Sequence, residues 1–212
     1  QRNAREHAGY RSVGHICCIS RFFGTYGGAS LQCYHIALHV LFSCLYVVDI
    51  YIFRWIQRSA FHRRFPCEAI FGAAVRAVVR TCLYHGIEVY GIRRGWNGLI
   101  HGDIIKMDAS SVSRTINRGG TILYTARSKE FMTEEGQKRA VSTCKFLGLD
   151  SIIAIGGDGT FRGARALSKY GINVICIPGT IDNDISCTNY CIGFDTAANT
   201  AIECIDKLRD TM

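Results

Sequence analysis

Two short apolar runs lie either side of one helical stretch between Asp150 and Pro178, and that order restricts the fold more than any other feature of the chain. "DSIIAIGG" and "INVICI" are β-branched, brief and bounded by glycine or proline, so each reads as a buried strand. The stretch between them, from about Gly159 to Tyr170, has helical spacing. A strand, a helix and a second strand in that order join the two strands in parallel.

The alternation extends outward in both directions. "AIFGAAVRAVVRTCLYHG" carries Ala and Val at helical spacing and stops at Gly86. "IEVYGI" alternates as a strand, "DASSVSRTINRGG" holds a short helical pattern, and "TILYTAR" reads as a strand ending in Arg127. Thr133 caps the helix "EEGQKRAVSTCKFLG", with Glu134 and Glu135 suited to its positive first turn. A last helix runs from about Ala197 to Arg209. Repeated alternation predicts an α/β fold: a Rossmann-like parallel sheet with helices on both faces. Its motifs at residues 156–160 and 180–184 are expected at one edge of that sheet.

Residues 1–65 have a different texture. They hold eight Arg, no Lys, and only Glu6 and Asp49 as acids, a net +6, whereas the other 147 residues carry +2. The charge of +8 therefore does not mark the regular part as a nucleic-acid binder. "IALHVLFSCLYVVDIYIF", Ile36 to Phe53, approaches the length of a membrane span, but His39 and Asp49 within it argue against one. Two units are expected: a 1–65 segment foreign to the rest of the chain, packing poorly, and a separate 66–212 domain. None of the eleven cysteines forms a C-x-x-C pair. Several, such as Cys144, Cys176 and Cys204, sit in apolar runs as small hydrophobes, which predicts a reducing, cytoplasmic compartment without disulfides.

Two stretches carry chemistry. In "IAIGGDGTFRGA" a strand ends at Ile155, glycines turn, and Thr160 opens a helix. Such glycines let backbone approach phosphate, and the helix start offers unpaired N–H groups. Asp158 suits Mg²⁺, a hard cation that takes oxygen ligands. In "PGTIDNDI", Asp182 and Asp184 stand two residues apart after a strand. Either stretch also suits a plain turn. Together they fit phosphoryl transfer, with Asp158 on the metal and Asp182 or Asp184 as the base for a hydroxyl.

"IGGDGTFRGA", "IPGTIDNDI", "NYCIGFDTAANTAIECIDKLRDT" and "VSRTINRGGTIL" resemble the N-terminal half of bacterial ATP-dependent 6-phosphofructokinase, from about Ala69 to Met212. The resemblance implies phosphorylation of fructose 6-phosphate to fructose 1,6-bisphosphate, with Mg²⁺ and ATP. It implies Asp182 as the catalytic base and Thr180, Ile181, Asp182 and Asp184 at the substrate. Gly157, Asp158, Gly159 and Thr160 would lie along the ATP phosphates, with Asp158 towards the metal, and Arg127 and Ser128 would also contact ATP. Arg76, Arg80 and Arg209 match effector-binding positions, with ADP a candidate effector. Gly159 and Gly179 favour ATP over pyrophosphate as donor. The full-length family implies a homotetramer.

The resemblance has gaps. The family opens with a strand and a glycine loop; the loop falls at Phe65 to Ile70, which here reads "FPCEAI". Ala109 replaces a frequent effector Arg, and Tyr124 a Gly. "LRDTM" ends the chain about midway through a family subunit. The expectation is an incomplete sheet, lacking the first strand and the second domain, in an inactive chain. A non-catalytic nucleotide-binding fragment is the alternative reading.

Overall fold

The computed structural model describes residues 15–20, 69–116, 121–186 and 188–211. The Ile36–Phe53 run and the Phe65–Glu68 part of the glycine-free stretch lie outside them. The elements are β1 (His15–Ser20), α1 (Ala69–Tyr84), β2 (Glu88–Ile92), α2 (Gly95–His101), β3 (Ile104–Met107), a 3₁₀ turn (Glu130–Met132), α3 (Glu134–Leu147), β4 (Leu149–Gly156), α4 (Asp158–Ser168), β5 (Asn173–Pro178) and α5 (Phe194–Arg209).

One five-stranded sheet runs in the order β3-β2-β1-β4-β5. β4 and β5 pair in parallel, from Ser151 opposite Asn173 to Gly156 opposite Pro178, with α4 as their crossover. The rest departs from the expected parallel sheet. β2 and β3 are antiparallel, with Val89 opposite Met107. Only residues 93–103 separate them, and a parallel return needs a crossover of a dozen residues or more. β1 is antiparallel to both its neighbours, β2 and β4. An interior strand expected to be missing is thus supplied by six residues of the 1–65 segment.

Two further expectations fail locally. "TILYTAR" forms no strand. Leu123 is buried, but Tyr124 adopts φ 52°, which breaks an extended run. "DASSVSRTINRGG" makes turns instead of a helix over its described residues. Asp108 Oδ1 accepts from Ser111 Oγ at 2.6 Å, Ser111 N at 2.7 Å and Ser110 Oγ at 2.8 Å. These bonds compete with helical ones, and Arg114 at φ 58° closes the turn.

The same bonds hold the Asp108 carboxyl down at about 2, the Ser111 hydroxyl contributing most. A carboxylate with a lowered folded pKa adds stability above its unfolded value of 3.8, and that contribution is lost as pH falls through about 2. Amide protection at Ser111 is therefore expected to fall between pH 4 and 2, and Asp108→Asn to remove the dependence. Hydrogen exchange across that window is the check, and equal pH profiles in both proteins would contradict it.

Apolar alternation along β4 builds a core on each face of the sheet. Ile153 and Ile155 join Ala74, Val75, Val78, Val79 and Cys82 of α1 on one face. Ile152 joins Leu99 of α2, Ala140, Val141 and Cys144 of α3, and Leu167 of α4 on the other. Helices cover both faces, as period-two strands require. Burial pushes the Cys144 thiol up to about 11, so it packs as a hydrophobe. Cys204 does not: it is exposed on α5, which has no buried residue and leaves Ile202, Ile205 and Leu208 open to solvent. Among the described residues no helix is long and apolar enough to cross a membrane.

The helix ends follow the sequence. Thr133 Oγ1 accepts from Gly136 N at 3.2 Å. Gly86 at φ 71° and Gly148 at φ 64° take the left-handed turn that ends α1 and α3.

Candidate functional site

Parallel pairing of β4 and β5 fixes the site. Because Gly156 is opposite Pro178, the turn into α4 and the loop after β5 leave the same edge of the sheet. Gly179 N donates to Gly156 O at 3.0 Å and ties the two turns together. A Cβ at Gly179 would come within 2.9 Å of Phe71 Cε1 and 3.4 Å of Ile155 Cγ2, so only glycine fits this close approach without displacement.

On the first turn, Thr160 N and Phe161 N both donate to Gly157 O, at 3.0 and 3.1 Å, and α4 begins. Asp158 sits in its first turn, where the positive helix end favours an acid. Its carboxylate is half-exposed and pairs with Arg162 Nη2 at 2.8 Å, one turn on. Gly159 and Thr160 are buried.

On the second turn the chain leaves β5, forms an exposed loop and returns. Thr180 N donates to Ile192 O, and Ile192 N to Pro178 O, both at 3.0 Å. Asp182 N donates to Thr180 Oγ1 at 3.2 Å. Ile181, Asp182 and Asp184 are exposed, while Thr180 is half-buried. Asp158, Thr180, Ile181, Asp182 and Asp184 therefore share one edge, as expected.

Arg127 is exposed, and Ser128 Oγ accepts from Phe131 N at 3.2 Å. Phe131 stacks on Trp96, ring centroids 4.6 Å apart. Trp96 in turn abuts α4, because a Cβ at Gly163 would meet its Nε1 at 2.5 Å. The Arg127–Ser128 turn is thereby set against the helix that carries Asp158. The arginines behave differently. Arg76 Nη1 donates to Val112 O at 2.5 Å, bracing the turn that Asp108 opens. Arg80 is exposed one turn along α1, and Arg209 is exposed in the last turn of α5. No hydrogen bond or ion pair among the described residues joins Arg209 to that pair.

The donor set suits Mg²⁺. That ion takes oxygen ligands, keeps several waters, and needs only one or two carboxylates besides substrate phosphates. Asp158 offers such a carboxylate at the start of a helix. Among the described residues no three or more His, Cys, Asp or Glu stand together so that they could hold a metal ion. Three residues with a part in the site were not legible as such in the sequence. Arg162 and Trp96 gave no signal, since their partners follow from the fold. Asn183 did give one, standing between two acids in a turn.

The sequence profile of the phosphofructokinase family matches residues 68–212. The chain belongs to that family. The ATP-dependent 6-phosphofructokinase of Clostridium botulinum is 58% identical over 139 residues, covering 66% of this chain and 44% of the relative. That of Halalkalibacterium halodurans gives the same figures. The chain thus spans less than half the length of the curated relatives it matches. Among solved structures, phosphofructokinase from Saccharomyces cerevisiae superposes with a TM-score of 0.60 at 31% identity, covering 66% of this chain and 22% of that one. The T-state of Pichia pastoris phosphofructokinase gives 0.56 at 32% identity, covering 58% and 15%. The matched part is mixed α/β in this chain. The segment 1–65 lies outside the family match.

Proposed function

We propose that the β4–β5 edge belongs to a site for ATP-dependent phosphorylation of fructose 6-phosphate, in a cytoplasmic protein. The observation that carries this is the Gly156–Pro178 register, which sets the glycine turn and the paired acids side by side within a phosphofructokinase family match. Residues 66–212 carry the site, and the sheet they build around β1 corresponds to a Rossmann-like core.

Gly157 to Thr160 lie along the ATP phosphates, which meet the positive end of α4. Arg127 and Ser128 contact the same nucleotide. Asp158 holds Mg²⁺, which when bound neutralises charge on the phosphates. Asp182 takes the proton from the sugar hydroxyl as that oxygen attacks the terminal phosphorus. Thr180 and Ile181 orient the sugar, and Asp184 helps order the transferring phosphate. Arg76, Arg80 and Arg209 supply cationic side chains for an effector site of which ADP is a candidate ligand.

The chain as it stands binds nucleotide without turning over. Its acids are exposed, and phosphoryl transfer needs aligned reactants and exclusion of water. The stretch Phe65–Ile70 also lacks glycine, and Pro66 has no N–H to offer a phosphate.

Calorimetric titration is expected to detect Mg·ATP binding that Asp158→Asn weakens by about tenfold, the worth of one charge-assisted contact. A coupled assay of fructose 1,6-bisphosphate is expected to read no more product than an Asp182→Ser control. Equal Mg·ATP affinity in the Asp158→Asn chain would contradict the site. Turnover above the control would contradict the inactive state.

A further inference from the structure

The loop that carries the two acids has one internal fastening. Asn183, between Asp182 and Asp184, adopts φ 49°. It is the only described residue from Gly179 to Ile192 with positive φ. Asparagine is one of the few side-chain-bearing residues that takes this conformation readily. Its amide is committed at both ends. Nδ2 donates to Asn189 O at 3.1 Å, and Oδ1 accepts from Cys191 N at 2.8 Å. Cys191 is buried, so its N–H has no recourse to water.

The far side of the loop is anchored in its turn. Ile192 comes next after Cys191 and is bonded to both Pro178 and Thr180 at the end of β5. A path of hydrogen bonds and one peptide link thus runs from the sheet through Ile192 and Cys191 to Asn183, the residue between the two acids in the chain. Asp182 has its own tie, N–H to Thr180 Oγ1. Asp182 and Asp184 lie on an exposed loop, where side chains otherwise sample many directions.

We propose that Asn183 is a positioning residue that holds the Asp182 and Asp184 carboxylates in fixed, separate directions through its left-handed backbone and its two amide bonds. This rests on the reading of Asp182 as the base and gives the asparagine between the acids a role of its own. A base must meet its proton within hydrogen-bond reach, and a loop free to swing would lose that alignment. The backbone and the amide contribute separately. Glycine at 183 keeps the positive φ and removes both bonds. Alanine removes the bonds and disfavours the φ.

The test uses the whole 212-residue chain, labelled for NMR, as wild type, Asn183→Gly and Asn183→Ala. In Asn183→Gly, exchange of the Cys191 amide is expected to rise about tenfold, the effect of one lost hydrogen bond. Amides in β4 and β5 should keep their protection. The side-chain carboxyl ¹³C signals of Asp182 and Asp184, distinct in the wild type, should converge, and a merely structural role would leave them alone. Fructose 6-phosphate should shift the Thr180 and Asp182 signals of the wild type and require about tenfold more ligand in Asn183→Gly. Asn183→Ala should repeat this with a lower urea midpoint, and where it does not fold the glycine variant decides alone. Wild-type exchange at Cys191, or unchanged carboxyl signals and ligand response, in Asn183→Gly would overturn the proposal. A wild-type chain whose signals ignore fructose 6-phosphate would overturn the functional reading and the positioning role with it, even where the Cys191 exchange result holds.

Discussion

A chain lacking residues 1–20 is expected to lose cooperative folding. The reason lies in the place of β1. It pairs five residues with β2 and six positions with β4, in the middle of the sheet. Neighbouring strands lie about 4.8 Å apart, so removing one leaves β2 and β4 roughly 10 Å apart with facing, unpaired edges. Each backbone group buried there without a partner costs about 1–3 kcal/mol. A handful of such groups exceeds the roughly 5–15 kcal/mol by which a domain is stable. The apolar layer cannot hold the halves together unaided. α1 packs on Val89 of β2 and on Ile153 and Ile155 of β4, so it bridges the gap and loses its flat support. Open edges also invite pairing between chains. Urea unfolding followed by circular dichroism, with size-exclusion chromatography, is the measurement. The 21–212 chain should show no sharp transition and should aggregate. A monomeric 21–212 chain with the parent midpoint would show that the sheet closes without β1, and would favour a 1–65 segment wholly foreign to the domain.

The second large effect concerns Asp182. In a version extended to the length of its relatives and active, Asp182→Ser is expected to lower kcat by about 10² or more, because general-base catalysis typically contributes 10²–10⁴. Serine keeps a small polar side chain but cannot accept the proton at neutral pH. The KM for ATP should change far less. Asp182 lies on the loop after β5, whereas the nucleotide is assigned to the turn into α4, reached through Gly157 to Thr160. A fall in kcat with an unmoved KM is the mark of an interaction made in the transition state. Near-normal turnover would show that the base lies elsewhere, with Asp184 the next residue to test.

The legible parts of this fold were those written locally. Thr133 marks a helix start through its side-chain oxygen and Gly86 a helix end through its backbone freedom, and both stand where the sequence put them. The β4–α4–β5 unit is continuous in sequence, so its parallel pairing and the shared edge of both motifs came directly from chain order. The illegible parts depend on distant partners. "HICCIS" carries no mark that it will insert between β2 and β4 in reverse. α2 is seven residues with two glycines, entered through Arg94 at φ 59°, and has too little period to read. In "TILYTAR" the apolar signal was real, because Leu123 is buried, but Tyr124 at φ 52° stops the strand. At the site, the acids and glycines were visible in the sequence. The bonds that organise them, Arg162 to Asp158 and Asn183 to Asn189 and Cys191, appear only in three dimensions.

Paramagnetic broadening by Mn²⁺·ATP, used in place of Mg²⁺·ATP, tests the shared edge most directly and needs no turnover. The ion broadens NMR signals by proximity, so it reports where the phosphates sit. The expected result is loss of the signals of Gly157 to Thr160 and of Thr180 to Asp184 together. Leu149 and Asn173, at the opposite ends of β4 and β5, should stay sharp. Broadening at one turn alone, or at the Leu149 and Asn173 end, would contradict a single phosphoryl-transfer site at this edge.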